Sequence, residues 1–200
     1  MCRRPQPGGR PAAPGPLAVV QAFINTHYDL EERPGAELLR SPESLEAWLG
    51  GAGLLDDLSE QRGGATSRDR RPLAVDRADL HRALALRDGL RRLAAGSAPD
   101  GLDAAAAGAA VEVRRRRDGA LRFVPAAGSG VRGALGVLLA ITAVAIADGS
   151  WSRLKICPGD HCGWAFYDGS RNRSGRWCSM RVCGGRAKAR SHYRRARPAA

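Results

Sequence analysis

Two hundred residues, 44% hydrophobic and 26% charged, leave room for one ordinary domain plus a smaller module and exclude a fibrous or wholly disordered chain. The net charge of +12 is concentrated at one end: residues 153–197 hold twelve Lys+Arg against two carboxylates, Asp160 and Asp168, a net of +10. A genome biased toward arginine would favour Arg over Lys everywhere, but it would not strip one segment of carboxylates, so the imbalance points to a polyanionic partner.

In chain order, residues 1–16 are rich in proline and glycine with little to bury, and read as a flexible lead-in outside the fold. No secretory signal follows it, and a cytoplasmic protein is expected. From Leu17 to His27 the positions Leu17, Val20, Phe23 and Ile24 recur at helical spacing, with a turn expected at Asn25-Thr26-His27. Ser41-Pro42-Glu43 is a helix start, because Ser caps free amides and Pro fits the first turn; Leu45, Trp48 and Leu49 follow, and Gly50-Gly51 is the expected stop. Residues 63–71 read as a loop. Leu80, Leu84, Leu90 and Leu93 predict a helix over about 76–95 ended by Gly96, and alanine content suggests a short one near 102–110.

Val111-Glu112-Val113 and Leu121-Arg122-Phe123-Val124 alternate about Asp118-Gly119, the pattern of a two-stranded hairpin. Its four arginines, Arg114 to Arg117, read as a solvated tip. The apolar run from Gly133 to Ala147 is fifteen residues long, short of the roughly 20 that span a membrane, and is expected as the central core helix over 131–147 with no membrane partner.

Four of the five cysteines, Cys157, Cys162, Cys178 and Cys183, form two pairs with four residues inside each pair and fifteen between them. Two ligand-bearing turns so spaced can meet around one ion, and four thiolates close a tetrahedral shell for Zn2+ with no open position, so the site is structural. Cys2 stands apart in the lead-in. Disulfides would need an oxidising compartment, and an iron–sulfur cluster also takes four cysteines without this spacing singling it out. His161 and His192 read as a loop residue and an exposed helix residue rather than as ligands. Pro158-Gly159 supplies the turn between the first two ligands; Trp164, Phe166 and Tyr167 form a short strand-like run, expected to pack beneath a basic helix that starts near Cys178. On that helix Arg186, Arg190, Arg194 and Arg197 would share one face.

These motifs carry a resemblance. Cys178-Ser179-Met180-Arg181-Val182-Cys183-Gly184-Gly185-Arg186-Ala187-Lys188, preceded by Trp164-Ala165-Phe166-Tyr167-Asp168 and Ser170-Arg171-Asn172-Arg173, resembles the CGNR zinc-finger family. Upstream, Phe23-Ile24-Asn25-Thr26, Ser41 to Leu49, and Ala52-Gly53-Leu54-Leu55 look like its usual companion, the ABATE domain, whose name denotes stress-induced transcription regulators. Gly185 departs from the pattern, standing where the family name has Asn. The expected fold is α+β: a lead-in (1–16), a mainly helical ABATE-like domain with a small β-hairpin (17–149), and a small treble-clef-like four-cysteine zinc finger ending in a basic helix (150–197).

The resemblance implies a DNA-binding transcription regulator. The expected nucleic-acid contacts are Arg171, Arg173 and Arg176 between the ligand pairs, and Arg186, Lys188, Arg190, Arg194 and Arg195 on the helix, probing duplex DNA through phosphates. The N-terminal domain would sense a small-molecule or protein effector or mediate assembly, including as a homo-oligomer. A zinc-folded protein-interaction module and an RNA-binding accessory factor are the alternatives. An enzyme is not expected: no phosphate loop, nucleophile elbow or acid–base pair is evident, and His27 beside Asp29 is an isolated coincidence.

Overall fold

The computed structural model describes residues 6–30, 33–55, 75–99, 101–115 and 118–196. Cys2, the loop expected over 63–71, Arg116, Arg117 and Arg197 lie outside them.

Helix α1 spans Leu17–Ile24 and buries Leu17, Val20, Phe23 and Ile24, the apolar stripe its spacing predicts. It turns at Asn25 into an antiparallel hairpin of β1 (His27–Leu30) and β2 (Arg33–Glu37), which pairs His27 with Glu37. Helix α2 spans Pro42–Gly51. Ser41 Oγ accepts from the Ser44 amide at 3.3 Å while Ser44 Oγ accepts from the Ser41 amide at 2.9 Å, a reciprocal cap of two otherwise unpaired donors. Gly50 and Gly51 remain helical; the chain leaves the helix at Ala52 and turns at Gly53, where φ is +71°.

Helix α3 (Arg77–Ala94) opens with a second reciprocal cap, between Asp76 and Asp79, and α4 is a single turn, Leu102–Ala106. Strands β3 (Val111–Arg115) and β4 (Leu121–Pro125) form the expected hairpin, with Val113 opposite Phe123. It lies hard against α5 (Gly130–Ala147), where a Cβ added at Gly133 would come within 2.8 Å of Pro125 Cβ, so only a residue without a side chain fits. At the hairpin tip Arg114 pairs with Glu112 at 3.0 Å.

Helix α5 is long and apolar enough to cross a membrane, yet Val131, Ala134, Leu135, Leu138 and Ala145 are buried inside the protein. They share one apolar core with Val20, Phe23 and Ile24 of α1, Leu45 and Leu49 of α2, and Leu86 and Leu90 of α3. Each large side chain among them contributes about 1.5–3 kcal/mol by leaving water.

After a 3₁₀ turn at Ser150–Arg153, β5 (Leu154–Ile156) pairs antiparallel with β6 (Ala165–Tyr167). A wide, π-helical turn at Met180–Gly184 then runs into α6, Gly185–Ala196. Trp151, Leu154 and Ala165 belong to the same apolar core as the N-terminal helices, so the core is continuous across residue 149.

Polar contacts stitch the same seam. Asn25 Nδ2 donates to the Ala165 carbonyl at 2.8 Å and Asn25 Oδ1 accepts from its amide at 2.8 Å, as a strand neighbour would; Gln21 Nε2 adds a bond of 3.1 Å to that carbonyl. Arg87, 3% exposed, meets both Glu37 oxygens at 2.7 Å and Thr26 Oγ1 at 3.2 Å. Burial, the largest single influence, would raise the Glu37 carboxyl, but the hydrogen bonds from Arg87 and the Leu39 amide and the Arg87 charge together outweigh it and hold the group below its ordinary value.

Residues 6–16, expected as a flexible lead-in, pack against the rest of the chain. Ala13 is buried and its amide donates to Gln21 Oε1 at 2.7 Å; Gln6 Oε1 accepts from Trp164 Nε1 at 3.0 Å.

Candidate metal centre

Four sulfurs converge between the β5–β6 hairpin and the Met180–Gly184 turn. Cys157 and Cys162 lie in the hairpin's connecting loop, which closes through Cys157 N to the Trp164 carbonyl (2.9 Å) and Cys162 N to the Gly159 carbonyl (3.0 Å). His161 takes φ +55° there, and a Cβ on Gly159 would sit 3.1 Å from Cys183 Sγ, so the two ligand turns touch at this glycine. Ser179 Oγ accepts from Val182 N at 3.3 Å and caps the turn that carries Cys183, with Cys178 directly before the cap.

The four Sγ atoms all lie within 4.8 Å of one another, with Cys162 to Cys178 at 3.5 Å and Cys178 to Cys183 at 3.6 Å. A tetrahedral ion with metal–sulfur bonds of about 2.3 Å sets its sulfurs ~3.8 Å apart. The sulfurs are too far apart for disulfides, and all four cysteines are free and buried. No histidine or carboxylate joins the cluster among the described residues.

Without an ion the four thiols cannot ionise independently. Hydrogen bonds from Cys162 and Cys178 hold Cys157 low; donating to Cys157 pushes Cys162 and Cys178 up, and burial first of all raises Cys183. A bound dication is the condition under which all four are thiolates. The donor set therefore fits a soft divalent ion in a closed shell.

Of the aromatic run, Trp164 and Phe166 cluster with the four cysteines, while Tyr167 packs against the main core. Trp164 and Phe166 are buried, and Trp164 meets Tyr28 of β1 edge-on, with ring centroids 5.0 Å apart.

Between the ligand pairs, Asp168 organises the loop. Its carboxylate is fully buried and accepts from Lys155 Nζ (2.7 Å), Ser170 Oγ (2.7 Å), Ser170 N (3.1 Å) and Gly175 N (2.7 Å). Burial opposes ionisation, but these donors, Lys155 foremost, drive its pKa well below the usual carboxylate range. Lys155 also donates to the carbonyls of Arg173 and Gly175.

Arg171, Arg173 and Arg176 are exposed on this loop; Arg173 takes φ +50°, and the Arg176 guanidinium stacks 5.2 Å from the Trp177 ring. On α6, Lys188 and Arg195 are exposed, Arg194 lies within the helix, and Arg186 and Arg190 are half-buried. Arg190 pairs with Asp160 of the first ligand loop at 3.1 Å, so it braces the finger as well as charging it. The residues that sequence reasoning missed, Asp168, Lys155, Asn25 and the arginines of the N-terminal part, act through pairings visible only once the chain is folded.

The CGNR zinc-finger family matches residues 153–196, and the family ABATE, described as "Putative stress-induced transcription regulator", matches residues 17–149. The chain belongs to the ABATE family. No curated protein matches it. The two family regions of this ABATE protein follow in the order that its motifs imply, and the Cys157, Cys162, Cys178 and Cys183 cluster falls inside the zinc-finger match. Gly185, which stands for the Asn of the family name, has helical angles, and an added Cβ would meet only Met180 O at 3.8 Å. Space therefore does not demand glycine there.

Proposed function

We propose that this ABATE protein is a non-enzymatic transcription regulator whose treble-clef-like finger, folded by one Zn2+ on Cys157, Cys162, Cys178 and Cys183, binds duplex DNA. The observation that carries the reading is the charge balance of the finger surface. Both carboxylates of residues 153–197 are tied to the finger's own cations, Asp160 to Arg190 and Asp168 to Lys155. Arg171, Arg173, Arg176, Lys188 and Arg195 are left exposed with no carboxylate among them to offset their charge. Such a surface attracts phosphates, and phosphate contacts fix position without reading sequence. The remaining part of the chain is assigned to sensing or assembly, and the shared core gives it a rigid connection to the finger.

Salt dependence tests this. Five phosphate contacts predict a log–log slope of about −4.5, so affinity of the full chain for duplex DNA should fall roughly 500-fold between 50 and 200 mM salt. Affinity insensitive to salt, or no binding at all, contradicts the reading; preference for RNA over DNA in direct competition moves it to an RNA-binding role.

A further inference from the structure

A Zn2+ ion with four thiolates carries a net charge of −2, and here it would sit among Tyr28, Trp164 and Phe166, where such a charge is poorly solvated. Neighbouring cations and donors are needed to hold it. Within the finger, Lys155 is engaged by Asp168, Arg190 by Asp160, and Arg153 by the carbonyls of Asp168 (3.0 Å) and Ser170 (2.9 Å).

Two arginines from outside the 153–196 match reach the ligand turns. Arg91 of α3 donates to the carbonyl of Gly163, the residue after Cys162, while also holding the carbonyls of Ile24 and His27. Arg10 donates through Nε to the carbonyl of Cys178 itself, at 3.0 Å, and its guanidinium lies 4.9 Å from the Phe166 ring centroid. Around Arg10 the arm is pinned twice. Gln6 Oε1 accepts from Trp164 Nε1 at 3.0 Å and Gln21 Nε2 at 3.1 Å; Gly8, at φ +70°, lies so close to the capping residue Ser179 that an added Cβ would be 3.0 Å from its Oγ.

We propose that the arm around Arg10, together with Arg91, forms the supporting layer of the metal centre, so that the N-terminal part of the chain governs how tightly zinc is held. This rests on the zinc assignment above but not on DNA binding. Coupling of this kind is reciprocal: what the arm contributes to metal affinity, the metal contributes to docking the arm.

The test uses the full chain, with zinc as the probe and a chromophoric chelator as competitor. Loss of a supporting contact to a metal ligand weakens binding by about 10–100-fold, and Arg10→Ala is expected in that range with faster zinc release. Arg10→Lys, which keeps the charge, should recover part of the loss, and Arg115→Ala, exposed on β3, should match wild type. An Arg10→Ala affinity within twofold of wild type, or an equal loss in Arg115→Ala, overturns the proposal. Amide exchange on the wild type gives a second readout that needs no variant. Stripping zinc should raise exchange over residues 6–16 while residues 130–147 stay protected, and an arm equally protected with and without zinc overturns the proposal. Failure of the wild type to bind zinc at all would instead overturn the zinc assignment on which it rests.

Discussion

Replacing Asp168 with Ala removes one carboxylate and strips partners from four donors at once. Ser170 N and Gly175 N lie 3.1 and 2.7 Å from that carboxylate, and Ser170 Oγ at 2.7 Å; Gly175 is half-buried, whereas Ser170 is exposed, so water replaces part of what Ser170 loses. Lys155 is less affected, because its side chain is 29% exposed and keeps the carbonyls of Arg173 and Gly175. Net hydrogen bonds are worth about 1 kcal/mol each and more when charged, which puts the loss at about 2 kcal/mol once the exposure of Lys155 and Ser170 is discounted. Denaturant unfolding of the zinc-loaded chain, followed by tryptophan fluorescence, measures it. The pH dependence has a definite sign. The folded carboxyl is held below its ordinary value of 3.8, so its contribution is complete above that value and is lost as pH falls below it. The gap between wild type and Asp168→Asn should therefore be constant near neutrality and close below about pH 4. A loss under ~0.5 kcal/mol for Asp168→Ala, or a gap that widens in acid, would refute the reasoning.

Other substitutions probe the framework. Asn25→Ala deletes two buried bonds to Ala165 and should cost about 2 kcal/mol, with a single cooperative thermal transition in both proteins because one core spans the chain. Ser41→Ala removes the cap of α2 and should cost about 1 kcal/mol in urea unfolding, with zinc content unchanged. Leu135→Ala opens a cavity at a fully buried position and should cost about 2–5 kcal/mol by the same assay.

What the sequence disclosed was what its local chemistry dictates. Ser41-Pro42 announces a helix start because capping is a short-range bond, and the leucine spacing of α3 follows the helical repeat. The cysteine spacing was legible because two turns must deliver ligands to one point. Strands β1 and β2 were missed because His27–Leu30 and Arg33–Glu37 are short and largely polar, with Pro34-Gly35 inside the second. Gly50-Gly51 marked the end of α2, which stops at Gly51, although the left-handed geometry that turns the chain falls two residues later, at Gly53. Composition marked residues 1–16 as unable to form a core, yet Gln6 and Arg10 dock by single polar bonds to Trp164 and Cys178, partners more than 150 residues away that no local pattern reveals. The same holds for Asp168, whose setting reads locally as an ordinary Asp-Gly turn.

Metal content decides most directly whether four thiolates organise the finger. Native mass spectrometry of the purified, reduced full chain should find one zinc per chain, retained in Cys2→Ser and lost in Cys178→Ser. A wild-type chain of apoprotein mass, or a Cys178→Ser chain that still carries its ion, would contradict the account.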